Sequence, residues 1–367
     1  MILRHGLVFR KRSVNASFRF INQLIRWFRP SKLCPVPTNP RKILLSNLGN
    51  IGDLFIAAKA IASLQSTYPN AEWGLLISER SKSALDLLES FKTVHFFEPS
   101  LSCKAVLQRR KIIREIENQR YDMAIDLHPF YPNAVTLLRA SKIPVRLGYD
   151  SGGFGALLTH PFRWTKFENY LGDLHLDHLR QRIPLQEGVY QNKGVPFDHP
   201  EEYLILHMCS SRVEKDWKRE KWIELIRKLS DWTVVLTGHG VKDKEECEKV
   251  AAATHCLNFC NQTSMTEYAA LLQKAKAVIT VDSMGVHLAT LLSVPTLVLF
   301  SDVEHPPLWL PPSATSLAMD DDSIEKIVTF VHNLTYPTDF ESWEFGQKAA
   351  QIFVSGTSDH CPKARHE

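Results

Sequence analysis

No stretch of the 367 residues approaches the ~20 uninterrupted apolar positions that cross a bilayer, so a polytopic membrane protein is excluded. Paired cysteines are also missing. The seven cysteines are odd in number and scattered, which leaves no disulfide framework and points to a reducing compartment. Cys247, His255, Cys256 and Cys260 lack the C-x-x-C spacing of a zinc site, so no metal is expected. There is no G-x-S-x-G, H-E-x-x-H or G-x-x-x-x-G-K-[ST], which removes the commonest serine-hydrolase, zincin and P-loop signatures. Acidic residues are absent from the first 37 positions, which carry eight Lys and Arg. With a net charge of +4 overall, the rest of the chain is therefore at −4, an acidic body behind a basic arm.

Within the arm, Phe18, Ile21, Leu24, Ile25 and Phe28 recur at helical spacing, with Arg19, Arg26 and Arg29 on the other face. Such a helix can lie in the headgroup layer with its arginines on anionic lipid, or pack its stripe on the protein's own core. Both readings remain open. Arg10-Lys11-Arg12 and Arg19 interrupt any secretory h-region. No interleaved aromatic and basic pattern recurs, so nucleic acid is not expected as a partner.

From Arg41 onward, short apolar runs alternate with amphipathic stretches. Strands are predicted at Ile43–Leu45, Trp73–Ile77, Val94–Phe97 and Met123–Leu127, with helices at Asp53–Tyr68, Ser81–Leu88 and Cys103–Asn118 between them. The alternation stalls in a loop-rich, proline-punctuated region at 148–200. It resumes with strands at Tyr203–His207, Thr233–Leu236, Val278–Val281 and Thr296–Phe300. Two doubly wound parallel sheets are implied, hence an α/β chain of two Rossmann-like domains with a cleft between them. Ligands in such sheets bind beyond the carboxyl ends of strands, and three strand-to-helix junctions qualify.

The first runs Ser46-Asn47-Leu48-Gly49-Asn50-Ile51-Gly52-Asp53. Gly49 and Gly52 permit a tight turn and uncovered backbone, and Asp53 stands where the helix begins, as a chemical group or simply as an N-cap. No Glu or Gln at position 56 completes a capping box for it. The second, His207 to Lys218, carries Ser210, Ser211, Arg212 and Lys215, suited to a phosphate or to plain solvent. The third, Asp282-Ser283-Met284-Gly285-Val286-His287, opens a helix whose free N–H groups form an anion site, with Asp282 or Ser283 as an alternative cap. Asp320-Asp321-Asp322 reads as capping and first-turn acids of the helix that follows.

Taken in order, these segments resemble glycosyltransferase family 9, the ADP-heptose:lipopolysaccharide heptosyltransferases. The resemblance rests on Ile43 to Asp53, Tyr121 to Leu127, Arg146 to Asp150, Ser210 to Trp217 and Asp282 to Ala289, and spans about residues 41–335. Two positions depart from the family pattern, Met284 for a glycine and Lys218 for a proline.

The resemblance implies a GT-B architecture that needs neither metal nor cofactor. It divides the chain into an arm (1–40), an acceptor-side domain (41–195), a nucleotide-sugar domain (196–335) and a return helix with tail (336–367), the helix at Asp339–Phe353. It implies an inverting transfer of a heptose or related sugar, with ADP-heptose as donor and a lipid-linked lipopolysaccharide core as acceptor. Asp53 would be the general base, with Gly49, Asn50 and Gly52 as the acceptor-side loop. Ser210, Ser211, Lys215, Asp282, Ser283, Met284, Gly285 and His287 would hold the donor. A cytoplasmic enzyme peripheral to the inner membrane, held to its anionic surface through residues 1–37, is the corresponding location. The alternatives are a transferase of another sugar or onto protein, an epimerase on the same fold, and a non-catalytic membrane-tethered sugar- or nucleotide-binding protein.

Overall fold

In the computed structural model, the described residues are 34–335, apart from 89–90, 99–102, 131–132, 151–153, 164–168 and 302–305, together with 20, 23 and 24. The amphipathic stretch of the arm and the return helix expected at Asp339–Phe353 lie outside this set, save for positions 20, 23 and 24.

The first sheet consists of β1 (Lys42–Asn47), β2 (Glu72–Ile77), β3 (Thr93–Phe96), β4 (Met123–Asp126), β5 (Val145–Tyr149) and β6 (His160–Phe162), in the spatial order β3-β2-β1-β4-β5-β6. Every pairing is parallel. β1 is apolar on both faces (Ile43, Leu44 and Leu45 are all fully buried) because helices cover the sheet on both sides. The second sheet has β7 (Tyr203–His207), β8 (Thr233–Thr237), β9 (Leu257–Asn258), β10 (Ala277–Val281), β11 (Thr296–Phe300) and β12 (Ala314–Ala318), again all parallel, in the order β12-β11-β10-β7-β8-β9. Each sheet anchors one of two compact units, which divide at Phe197 and Asp198, with Thr263–Leu271 and the short helix Pro306–Trp309 grouped with the first.

Both sheets reverse direction once. The chain leaves β1 toward β2 and β3, then crosses back to β4 on the other side of β1. It leaves β7 toward β8 and β9, then crosses back to β10. The switch points therefore lie between β1 and β4 and between β7 and β10, the positions where open α/β sheets take ligands. All three candidate junctions follow switch-point strands.

The 148–200 region differs from expectation. It contains β6 and a helix, Leu171–Arg180, that packs on the helix following β1, Ile51–Thr67. Its buried stripe is Leu171, His175, His178 and Leu179, so histidines hold two of the apolar positions and mask the helical period. Further along, the Gly188 N–H donates to Ser63 Oγ (3.1 Å), and a Cβ at Gly188 would meet the Ala62 backbone at 2.3 Å. Ile51–Thr67 is consequently buried from Leu54 to Leu64 at every position but Lys59, a rigid seat for what stands at its amino end.

The buried histidines predict a pH response. His175 accepts from or donates to Tyr149 Oη through Nδ1 (2.6 Å), and its buried Nε2 has no hydrogen-bond partner among the described residues. Burial, reinforced by His178 and His128, pushes its pKa down to about 3. The folded state thus binds fewer protons than the unfolded one, and stability is lost as pH falls from about 6.5 toward 3, with about 2 kcal/mol gone from this residue by pH 5. Buried Asp126, pushed up to about 7, acts in the opposite direction, since its folding penalty grows as pH rises from 3.8 to 7. The two are separated by substitution. His175→Gln should narrow its melting-temperature deficit against the natural protein as pH drops from 7.5 to 5.0, and an unchanged gap would contradict this assignment.

Candidate active site

At the first switch point, β1 and β4 stand in register with Ser46 opposite Asp126. Ser46 Oγ donates to Asp126 Oδ1 (2.8 Å), the Leu127 N–H donates to the Ser46 carbonyl (2.9 Å) and the His128 N–H reaches Asp126 Oδ1 at 3.3 Å. Asp126 is 1% exposed, so it ties strand ends together and has no access to a substrate hydroxyl.

The chain then turns into Ile51–Thr67. Asn50, in extended conformation, is the N-cap, and Asp53 occupies the third helical position, not the cap. Its Oδ2 accepts from the Asn50 N–H (2.7 Å), the reciprocal arm of a capping box. The box the sequence reading sought at position 56 is therefore present one turn earlier, with Asp53 as its acidic member. This bond fixes the carboxylate without burying it, since Asp53 is only half-buried. Gly49 is required by the same geometry: a Cβ there would lie 2.5 Å from Asp53 Oδ2. His128 flanks the carboxylate. Burial pulls its imidazole below the ordinary range while the negative charge of Asp53 pulls it back, so it is neutral at neutral pH.

At the second switch point, Lys215 Nζ bonds Asp282 Oδ2 at 2.5 Å, joining the loop after β7 to the loop after β10. Their side chains are 15% and 8% exposed, respectively. Ser283 caps the helix Met284–Leu291, its Oγ accepting from the Gly285 N–H (3.3 Å). Of the two caps considered, Ser283 takes the role, which leaves Asp282 to pair with Lys215. Met284 opens this helix and Gly285 is buried within its first turn. Burial pushes His287 down to about 4, against the pull of Asp282, so a neutral imidazole backs the ion pair.

Ser210 builds its own loop. Its Oγ donates to the Arg212 carbonyl (2.6 Å) and its N–H donates to Asp216 Oδ1 (2.7 Å). Lys242 Nζ, from the helix Val241–Ala253, donates to the Ser210 carbonyl (3.0 Å) and to Asp216 Oδ2. Asp216 and Lys242, neither singled out in the sequence, therefore shape the loop that carries Lys215, while Ser211 lies exposed on it. The signal that could have found them is a charge pair 26 residues apart, visible only once β7 and β8 are known to be neighbours.

This pair of doubly wound sheets, with polar loops at both switch points, has the GT-B fold. The fold is shared with E. coli ADP-heptose lipopolysaccharide heptosyltransferase II (TM-score 0.64, 19% identity, covering 80% of this chain and 98% of that one). It is shared as well with E. coli heptosyltransferase WaaC with ADP (TM-score 0.67, 16% identity, 80% and 99% covered). Residues 109–319 match the model of glycosyltransferase family 9 (heptosyltransferase), and the chain belongs to that family. In sequence it is similar to the lipopolysaccharide core heptosyltransferase OpsX of Haemophilus influenzae, 22% identical over 293 residues, covering 74% of this chain and 82% of OpsX. The family match contains Lys215 and Asp282 to His287 and begins beyond Asp53.

Proposed function

We propose that this glycosyltransferase moves a heptose from ADP-heptose onto a lipopolysaccharide core acceptor, inverting the anomeric carbon. An acceptor hydroxyl attacks that carbon as the bond to the nucleoside diphosphate breaks. Asp53 takes the hydroxyl proton, a role usually worth about 10²–10⁴ in rate. Lys215 and the amino terminus of Met284–Leu291 neutralise charge growing on the departing β-phosphate. Asp282 aims Lys215, Ser283 orders the helix start, and neutral His287 supports both. Gly49, Asn50 and Gly52 form the acceptor-side loop, in which the Gly49 and Asn50 N–H groups are taken by Asn47 and Asp53 and serve to shape the turn.

The observation that carries this reading is the division of chemistry between the sheets. A half-buried carboxylate fixed by a backbone N–H stands at one switch point, and a lysine ion pair beside a helix amino terminus stands at the other. The relatives' names supply the sugar and the acceptor. Thermal shift across ADP-, GDP- and UDP-sugars checks the donor. ADP-heptose should raise the melting temperature most, and a larger response to a UDP- or GDP-sugar would replace it.

A lipid-linked acceptor at the inner face of the inner membrane gives the basic arm a use: peripheral attachment to anionic lipid. Removing residues 1–37 should release the protein from anionic vesicles, and added salt should weaken binding of the full chain. Equal pelleting of both forms would assign the arm to the protein's own core.

A further inference from the structure

We infer that Asn47, the last residue of β1, is a positioning residue that holds Asp53 where it can accept the proton. The inference rests on the reading of Asp53 as the base. Asn47 is 2% exposed, and its amide is used from both ends. Its Oδ1 accepts from the Gly49 N–H (3.0 Å), closing the turn. Its Nδ2 donates to the Asp53 carbonyl (3.1 Å), fixing the backbone of the residue whose carboxylate points at the Asn50 N–H. One side chain thus spans the loop from its first turn to the third residue of the helix.

The clamp is anchored from below. Ser46, its neighbour in sequence, bonds buried Asp126 on β4, and Ser81 Oγ donates to the Gly49 carbonyl (3.3 Å) from the side of β2. With a Cβ at Gly49 only 2.5 Å from Asp53 Oδ2, the turn and the carboxylate are packed against each other. A shift of the turn therefore becomes a shift of the carboxylate. Displacements near 1 Å at a reacting group cost on the order of 10²-fold in rate. Glutamine carries the same amide, but its extra methylene would push that amide into the turn.

The test is a double-mutant cycle read in turnover, donor affinity and melting temperature. Asn47→Ala should lower acceptor-dependent turnover by about 10- to 100-fold with donor affinity unchanged. In the Asp53→Asn background the same substitution should cost less than about twofold more, because Asn47 acts through Asp53. Should Asn47→Ala fold poorly, Asn47→Asp keeps the acceptor for Gly49, loses the donor to Asp53 and should show the same loss. Retention of more than about a third of the rate, or an equal fractional loss in both backgrounds, would overturn the role. A crystal structure of either variant reads positioning apart from turnover: the Asp53 carboxylate should leave the Asn50 N–H by about 1 Å, and an unmoved carboxylate overturns the proposal. If the natural protein shows no acceptor-dependent turnover, the transfer reading fails, and the crystal comparison still decides the fate of Asn47.

Discussion

Asp53→Asn should leave the fold intact and lower turnover by roughly two to four orders of magnitude. Asparagine at 53 still offers a carbonyl oxygen to the Asn50 N–H, so the capping bond survives, and the stability change should stay within about 1 kcal/mol. What asparagine cannot do is accept a proton at neutral pH. In the proposed mechanism this one carboxylate both caps the helix and accepts the proton, and the substitution removes only the second role. Donor affinity should be unchanged, since the residues proposed to bind the donor follow β7 and β10 of the other sheet. If Asp53→Asn keeps more than about a tenth of the rate, His128 becomes the next base to examine, as the loss would fall well short of general-base magnitude. Asp126 is not a substitute, being buried and bonded to Ser46.

Lys215→Ala should weaken nucleotide-sugar binding and lower turnover by about 10²–10³, the scale of a lost charge-stabilising donor. It should also cost stability, because Asp282, 8% exposed, loses the cation that offsets its burial. Roughly 1–3 kcal/mol is expected for leaving such a group uncompensated. Adding Asp282→Asn separates the two effects. The double variant should regain melting temperature while turnover stays low. Unchanged donor affinity and turnover in Lys215→Ala would remove the lysine from the site.

The sequence makes the switch-point junctions legible because each combines a buried apolar run with an abrupt change to Gly, Asp, Ser or Lys, as at Leu45 to Asp53 and Val281 to Gly285. Parallel strands buried on both faces produce such runs directly. What escapes the sequence depends on neighbours distant in the chain. The Leu171–Arg180 helix hides because His175 and His178 sit in its buried stripe, and a hydropathy pattern counts them as polar. Asn47 and Asp126 look like ordinary strand-end polar residues until the β1–β4 register sets Ser46 against Asp126. The Lys215–Asp282 pair joins residues 67 positions apart and exists only because β10 returns beside β7. The capping box lies one turn earlier than the sequence suggests, since the helix starts at Ile51, two residues before Asp53.

Acceptor-dependent release of the nucleotide is the most direct test that this chain catalyses sugar transfer. Full-length protein should release ADP from ADP-heptose when a lipopolysaccharide core acceptor is present and release little without it, with the sugar recovered on the acceptor. ADP release that ignores the acceptor, or binding of ADP-heptose with no release under either condition, would contradict it.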